Sequence, residues 1–339
     1  IALPSKGDMS RETLGLLEAS GVGVRRKSDR LYVARMEGFG DVEVWFLRPV
    51  DIARKVRSGV IDLGFTGFDL LEEYAGSRDI PGSDIVTIHE NLGIGECRLG
   101  LGVPMSWDSI RTLSDLAAKL HTSPTPLRIA SKFPSATDAF MRTHGIANYT
   151  IISMDGALEA STQMGTADCI VDLVASGVTL RENLLKEIDG GTILESSLQL
   201  VANRKALAGS TRLRAVAREI LERIEAHQAA AGQFNIIANI RGATVGGVAR
   251  KLGSTTDLRG MDGPTITTVV PHSTNEDGMY AIGLVVRKER LYSAVQQLRE
   301  IGGSGVCVLP VTYVFDPESA RWNAVVKRLE GEAGGGEGE

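Results

Sequence analysis

The chain has 339 residues, 43% hydrophobic and 23% charged, the balance of an ordinary globular protein with room for two or three domains. No apolar run reaches the roughly 18 residues a membrane span needs, so no membrane partner is expected. The formal charge is −5, but four glutamates fall in the last ten residues, EGEAGGGEGE, and the remaining body, near −1, argues against general nucleic-acid binding. That Gly/Glu tail is expected to be disordered. The three cysteines, Cys97, Cys169 and Cys307, lie far apart with no C-x-x-C pair, which fits a reducing compartment and no metal framework. None of the five histidines has zinc-ligand spacing.

In chain order, Ile1–Pro4 reads as a strand, followed by Ser5-Lys6-Gly7 and a helix ending near Ala19. Val42–Phe46 is a second strand and Asp51–Ser58 a short helix; Ile61–Phe65 is a third strand that turns at Thr66-Gly67 into a helix through Tyr74. Arg98–Val103, Leu127–Ala130 and Thr150–Ile152 continue the pattern, with a loop at Ser123–Pro126. Short apolar runs alternating with helical patterns predict an α/β fold with a mostly parallel sheet. Thr211–Ala230 predicts a long amphipathic helix, since Leu213, Val216, Ile220, Leu221 and Ile224 share one face. After Gly232 the pattern changes: strand Phe234–Ile240, helix Val245–Leu252, strands Thr265–Val270 and Tyr280–Val286, helix Glu289–Ile301, strand Gly305–Phe315. The order βαββαβ is that of a ferredoxin-like module.

Ala167–Val174 is an apolar strand that nonetheless keeps Asp168 and Asp172, four apart and so on one face. A buried unpaired carboxylate is costly, so each needs a partner or a place at the strand's mouth. Asp172 is nearer the carboxyl end, where open α/β sheets bind ligands. Ala175-Ser176-Gly177-Val178 is small enough to bring backbone N–H groups close to a ligand, and Thr179-Leu180-Arg181-Glu182 has the pattern of a capping box that starts a helix. Together they read either as an anion cradle or as a plain strand-turn-helix.

Four other stretches precede this loop: Leu3-Pro4-Ser5-Lys6-Gly7, Arg48-Pro49-Val50-Asp51-Ile52, Asp62-Leu63-Gly64-Phe65-Thr66-Gly67-Phe68-Asp69 and Gly95-Glu96-Cys97-Arg98-Leu99. With Asp155-Gly156-Ala157-Leu158-Glu159-Ala160, they make the chain resemble the ATP phosphoribosyltransferases over residues 3 to about 328, in their long, feedback-regulated form. Leu180–Ile188 and Gly302–Val306 are similar to the plant version.

The resemblance implies two periplasmic-binding-protein-like α/β lobes, residues 1–98 with 200–230 and residues 99–199, then an ACT-like regulatory module at 231–328 and a tail at 329–339. It implies Mg²⁺-dependent condensation of ATP with phosphoribosyl pyrophosphate in a homo-hexamer built from dimers. Histidine is the implied inhibitor and AMP a further ligand, with residence in the plastid stroma if the plant likeness holds and in the cytoplasm otherwise. The rival reading of the same two lobes is a solute-binding or regulatory subunit without chemistry.

Carried over residue by residue, the resemblance places phosphoribosyl pyrophosphate on Asp155, Gly156, Glu159, Asp172, Leu173, Val174, Ala175, Ser176, Gly177, Val178 and Thr179. It places ATP on Lys6, Gly7, Arg48, Gly67, Asp69, Cys97 and Arg98, the metal on Asp155 and Glu159, and catalysis on Asp172, Lys6 and Arg98. Each has a plainer alternative: Thr179 and Asp69 as helix caps, Arg48 and Arg98 as ion-pair partners, Lys6 as a surface lysine, Asp155 and Glu159 as exposed carboxylates. Lys132 is a weaker candidate, and Asp168 reads as scaffold. Asp8 departs from the arginine usual after the Lys-Gly pair, and Arg11 is the cation that could compensate one turn on. The histidine pocket is expected around Asn239–Thr244 and Ser273–Tyr280, the alternative being a module that only holds the oligomer together.

Overall fold

The computed structural model describes residues 1–28, 30–75, 83–255, 257–258, 260–261, 263–270 and 278–330. The chain opens with β1 (Ala2–Pro4), α1 (Gly7–Ala19), β2 (Val24–Arg25), β3 (Val33–Met36), β4 (Phe39–Leu47), α2 (Pro49–Arg57), β5 (Leu63–Gly67), α3 (Phe68–Ala75) and β6 (Ile85–His89). Pro49 starts α2 at a position where the missing N–H costs nothing, and Ile52, Ala53 and Val56 give it one fully buried face. Each such Ile or Val contributes roughly 2 kcal/mol by leaving water.

A second group follows: β7 (Cys97–Pro104), α4 (Leu113–Thr122), β8 (Leu127–Ser131), α5 (Pro134–Thr143), β9 (Tyr149–Ser153), α6 (Leu158–Gln163), β10 (Cys169–Val174), α7 (Val178–Glu182) and β11 (Leu185–Ser196). The chain then returns through β12 (Leu198–Asn203), α8 (Arg204–Gly209) and α9 (Thr211–Ala230).

Two sheets result, in the orders β2-β3-β4-β1-β5-β12-β6 and β11-β7-β10-β8-β9, one per lobe. Neither is mostly parallel, contrary to the sequence expectation. β12 runs antiparallel to β5 and β6, and β7 antiparallel to β10 and β11, because these strands carry the chain between the lobes and must run back against their neighbours. Among the described strands, the parallel pairs are β1–β4, β1–β5, β8–β9 and β8–β10. The bilobal α/β architecture itself is the one expected.

Residues 222–317 form a separate compact unit, the boundary falling within α9. It holds β13 (Gln233–Arg241), α10 (Val245–Gly253), β14 (Thr265–Thr268), β15 (Met279–Arg287), α11 (Lys288–Glu300) and β16 (Gly303–Pro310). The sheet order β14-β15-β13-β16 is that of a ferredoxin-like fold, with Ile236, Ala238, Ile240, Ile282 and Leu284 buried in its core. The last strand stops at Pro310 and not at Phe315, since its partner β13 begins at Gln233 and offers no further residues to pair with.

Helix α12 (Ala320–Glu330), read from sequence as part of the C-terminal module, belongs with the two lobes and packs on β6. Trp322 and Val325 are buried there, and Arg204 donates to the carbonyls of Ser83 and Arg328. Residues 331–339 of the tail and 273–277 of the expected histidine pocket lie outside the described residues.

Candidate active site between the lobes

β10 delivers Asp172 to the carboxyl end of the second lobe's sheet, opposite Gly100 of β7. Its carboxylate accepts the Leu173 N–H at 2.8 Å, is half-buried, and has a pKa raised above the ordinary aspartate value, burial being the main cause. Asp168, four residues earlier, behaves oppositely. Arg128 grips it through Nη2 at 2.7 Å, Nε at 3.2 Å and the backbone N–H at 2.8 Å, and this pairing lowers its pKa. Asp168 is therefore scaffold, and Asp172 is the carboxylate left without a side-chain cation bonded to it.

The loop after β10 is held from behind. Arg98 makes a bidentate pair with Glu187, at 2.7 and 2.5 Å, and donates to the Ala175 carbonyl at 3.4 Å. Arg181 donates to the Ser176 carbonyl at 3.4 Å. With two consecutive carbonyls drawn inward, the small residues leave their outer side to a ligand. Gly177 has φ of 72°, a conformation that favours glycine, and a Cβ there would meet Arg181 Nη1 at 3.2 Å.

That same glycine overturns the expected capping box. Gly177 caps α7, which begins at Val178, so Thr179 is its second residue and no side chain caps the helix. With only five residues α7 carries little dipole, and attraction for an anion must come from the loop's N–H groups and nearby cations.

In the first lobe, Lys6 and Arg48 follow β1 and β4 at their carboxyl ends, both exposed and without a side-chain partner among the described residues. Gly7 starts α1 beside Lys6. Arg11 pairs with Asp8 at 2.8 Å, so the cation one turn on is neutralised by the very residue it might have replaced.

Asp69 is buried, and it does not cap α3; it is that helix's second residue. The Ser196 hydroxyl donates to its Oδ1 at 2.5 Å and accepts its N–H at 3.0 Å, while burial raises its pKa. Gly67 must lack a Cβ because one would run into the Asp69 carboxylate. Cys97 is half-buried with its thiol pushed up in pKa, chiefly by burial and next by the Asp69 charge.

Lys132 joins the two walls. It comes one step after Ser131 of β8, which pairs with Val171, and its charge favours the ionised forms of both Asp69 and Asp172. Glu159, in the first turn of α6, acts on Asp172 in the opposite sense. Asp155 and Gly156 are exposed just before α6, and the Asp155 charge reaches Tyr74 of the first lobe. Leu173 and Val178 are exposed, Val174 buried.

A cleft of about 600 Å³ runs past Cys97, Arg98, Ala175, Ser196 and Phe68. Lys132 stood as a weaker candidate in the sequence, marked by its place after a strand's carboxyl end. Glu187 and Ser196 were not separable from ordinary strand residues, because their partners lie 89 and 127 residues away.

Fold and site together define a two-lobed α/β protein with exposed cations, Lys6 and Arg48, at the strand ends of one lobe and Asp172 with a glycine loop at those of the other. The family model described as ATP phosphoribosyltransferase matches residues 48–226, and one described as HisG, C-terminal domain, matches residues 230–313. ATP phosphoribosyltransferase 2, chloroplastic, of Arabidopsis thaliana is 43% identical over 337 residues, covering 97% of this chain and 80% of its own. The ATP phosphoribosyltransferase of Methanothermobacter thermautotrophicus is 33% identical over 315 residues, 93% of this chain and 98% of its own. Among solved structures, an ATP phosphoribosyl transferase (HisG:HisZ) complex from Thermotoga maritima matches with a TM-score of 0.51 and 26% identity, over 66% of this chain and 97% of that one.

The chain belongs to the ATP phosphoribosyltransferase family. Its activity is the condensation of ATP with phosphoribosyl pyrophosphate, the first step of histidine biosynthesis.

Proposed function

We propose that the second lobe holds the phosphoribosyl half of the reaction and the first lobe the nucleotide. The observation that carries this reading is the contrast in charge: Asp172 and an inward-clamped glycine loop on one wall, two unpaired cations on the other. Backbone N–H groups of residues 175–179, with the Ser176 and Thr179 hydroxyls, hold the 5-phosphate. Asp172 accepts from the ribose hydroxyls. Lys6 and Arg48 take the phosphates of ATP, and Lys6 with Lys132 faces the departing pyrophosphate. Gly7, Gly67 and Cys97 are small enough for the nucleotide to lie against their backbone. Arg98, committed to Glu187, acts by positioning the loop.

In the transfer, adenine N1 forms a bond to the anomeric carbon as the bond from that carbon to pyrophosphate breaks. Positive charge grows on the sugar and negative charge on the leaving group. A fixed carboxylate at the ribose and fixed cations at the pyrophosphate stabilise both more in the transition state than before it.

For Mg²⁺, the candidate donors are Asp155 and Glu159. Two carboxylates at the cleft suit a small hard cation that keeps most of its shell for water and substrate phosphate. Among the described residues there is no cluster of three or more His, Cys, Asp or Glu that would make a preformed cage. Bound there, Mg²⁺ would neutralise pyrophosphate charge; the protein's part is to present Asp155 and Glu159 at the start of α6.

Histidine inhibition and assembly into a hexamer belong to the same proposal, the former assigned to residues 222–317 around Asn239–Thr244. That unit holds a groove of about 530 Å³ lined by Ile237, Ala281 and Val285, with none of residues 239–244 in its lining. Residence in the plastid stroma rests on relatives named chloroplastic. The test is to mix the protein with ATP, Mg²⁺ and phosphoribosyl pyrophosphate and follow phosphoribosyl-ATP by absorbance, with and without histidine. Product formation that histidine slows is expected. No product under saturating substrates would end the catalytic reading, and an unchanged rate with histidine the regulatory one.

A further inference from the structure

Helix α5 begins badly for a helix. Its N-cap is Phe133, whose side chain accepts nothing, and Pro134 at the first position has no N–H. The first backbone donors that need a partner are therefore those of Ser135 and Ala136. Both find one in the other lobe: Glu73 Oε1 accepts the Ser135 N–H at 3.1 Å and Oε2 the Ala136 N–H at 2.9 Å. Cap and helix are more than 60 residues apart in sequence, so this contact reports the spacing of the lobes and not local folding. A carboxylate there also opposes the positive end of a ten-residue helix.

Glu73 stands one turn after Asp69 on α3, so the two carboxylates share a face. Asp69 is tied to Ser196, the residue at which β11 of one lobe passes over to β12 of the other. One short helix thus grips the second lobe twice, at the crossover and at α5. The grip on α5 lies three and four residues beyond Lys132, the cation shared by Asp69 and Asp172.

We propose that Glu73 is an interlobe latch, a positioning residue that caps α5 across the cleft and so holds Lys132 and the phosphoribosyl wall at working distance from the nucleotide wall. The latch rests on the cleft assigned above but makes no contact with either substrate. Without it the free protein spends more time open, and substrates must close it at the expense of their own binding. The chemistry in the closed state is untouched.

The test combines kinetics with hydrogen exchange. Glu73→Ala should raise KM for both substrates about three- to twenty-fold, the span expected from loss of a helix cap, with kcat changed less than about twofold. Glu73→Gln keeps an acceptor oxygen and should fall between. In the free protein, Glu73→Ala should speed exchange both in the first turn of α5 and at residues 195–199 of the crossover, and both substrates together should restore protection. Faster exchange confined to α5 would reduce Glu73 to a local cap, and a fall in kcat with KM unchanged would place it in the chemistry; either overturns the latch. Because exchange is read on the free protein, it decides the latch even if the activity assay shows no turnover, a failure that would count against the assigned function alone.

Discussion

The two walls of the cleft solve the problem of a polyanionic ligand in opposite ways. On the second lobe three arginines are spent internally: Arg98 on Glu187, Arg128 on Asp168, Arg181 on the Ser176 carbonyl. What that wall presents is shaped backbone and a carboxylate, with Lys132 beside them. On the first lobe Lys6 and Arg48 are exposed and unpaired among the described residues, so that wall presents charge with little shape. The lesson is that one wall is prearranged for a ligand of one geometry, while the other can follow phosphates as they move. Strand β10 repeats the contrast within itself, pairing Asp168 and leaving Asp172 half-buried with a raised pKa.

The sharpest way to break this comparison is at Asp172. Asp172→Ala should lower kcat about 10²- to 10³-fold, the range seen when a group stabilising transition-state charge is removed, with Tm little changed. Because burial raises the Asp172 pKa, its reactive charge is lost at a higher pH than an ordinary aspartate would lose it. The acid limb of kcat should therefore lie above the usual aspartate range and disappear in the variant; a pH–rate profile with the same limb in both would count against the role. For stability the sign is reversed: a raised pKa favours the protonated folded state, so replacing Asp172 should, if anything, stabilise the protein above that pKa.

A smaller effect is expected at the clamp. Glu187→Gln weakens its hold on Arg98 and loosens the Ala175 carbonyl, and should raise KM for phosphoribosyl pyrophosphate about three- to tenfold while leaving KM for ATP alone. Steady-state kinetics with each substrate varied in turn would show it.

Much of this was legible in the sequence, for local reasons. The spacing of Leu213, Val216, Ile220 and Ile224 marks α9, and the βαββαβ order of residues 233–310 survives almost unchanged. The strand-to-loop break at Val174–Gly177 was readable because small residues after an apolar run have few other uses. What escaped was non-local. The capping box at Thr179 failed because Gly177 could take a left-handed conformation and start the helix two residues earlier. Strand β11 hides behind charged and glycine residues with register shifts near Thr192, and its pairing with β7 is set by the crossover. No local pattern marks Glu187 or Glu73, whose partners lie on distant elements.

The smallest predicted effect sharpens the contrast from the other side. Asp168→Asn should lower Tm by a few degrees at neutral pH with kcat and both KM values unchanged. Its folded pKa is lowered, so its contribution is present above the ordinary value of 3.8 and fades as pH falls through the folded one. Thermal melts of variant and parent should therefore differ at neutral pH and converge at strongly acidic pH.

The division of labour between the walls is tested most directly by titrating phosphoribosyl pyrophosphate with Mg²⁺ into the parent protein, Gly177→Ala and Arg48→Ala by calorimetry. A Cβ at Gly177 strains a left-handed turn and presses on Arg181, so affinity should fall about tenfold or more there, while Arg48→Ala should bind as the parent does. Equal losses in both variants, or a loss confined to Arg48→Ala, would contradict the assignment of the phosphoribosyl half to the second lobe.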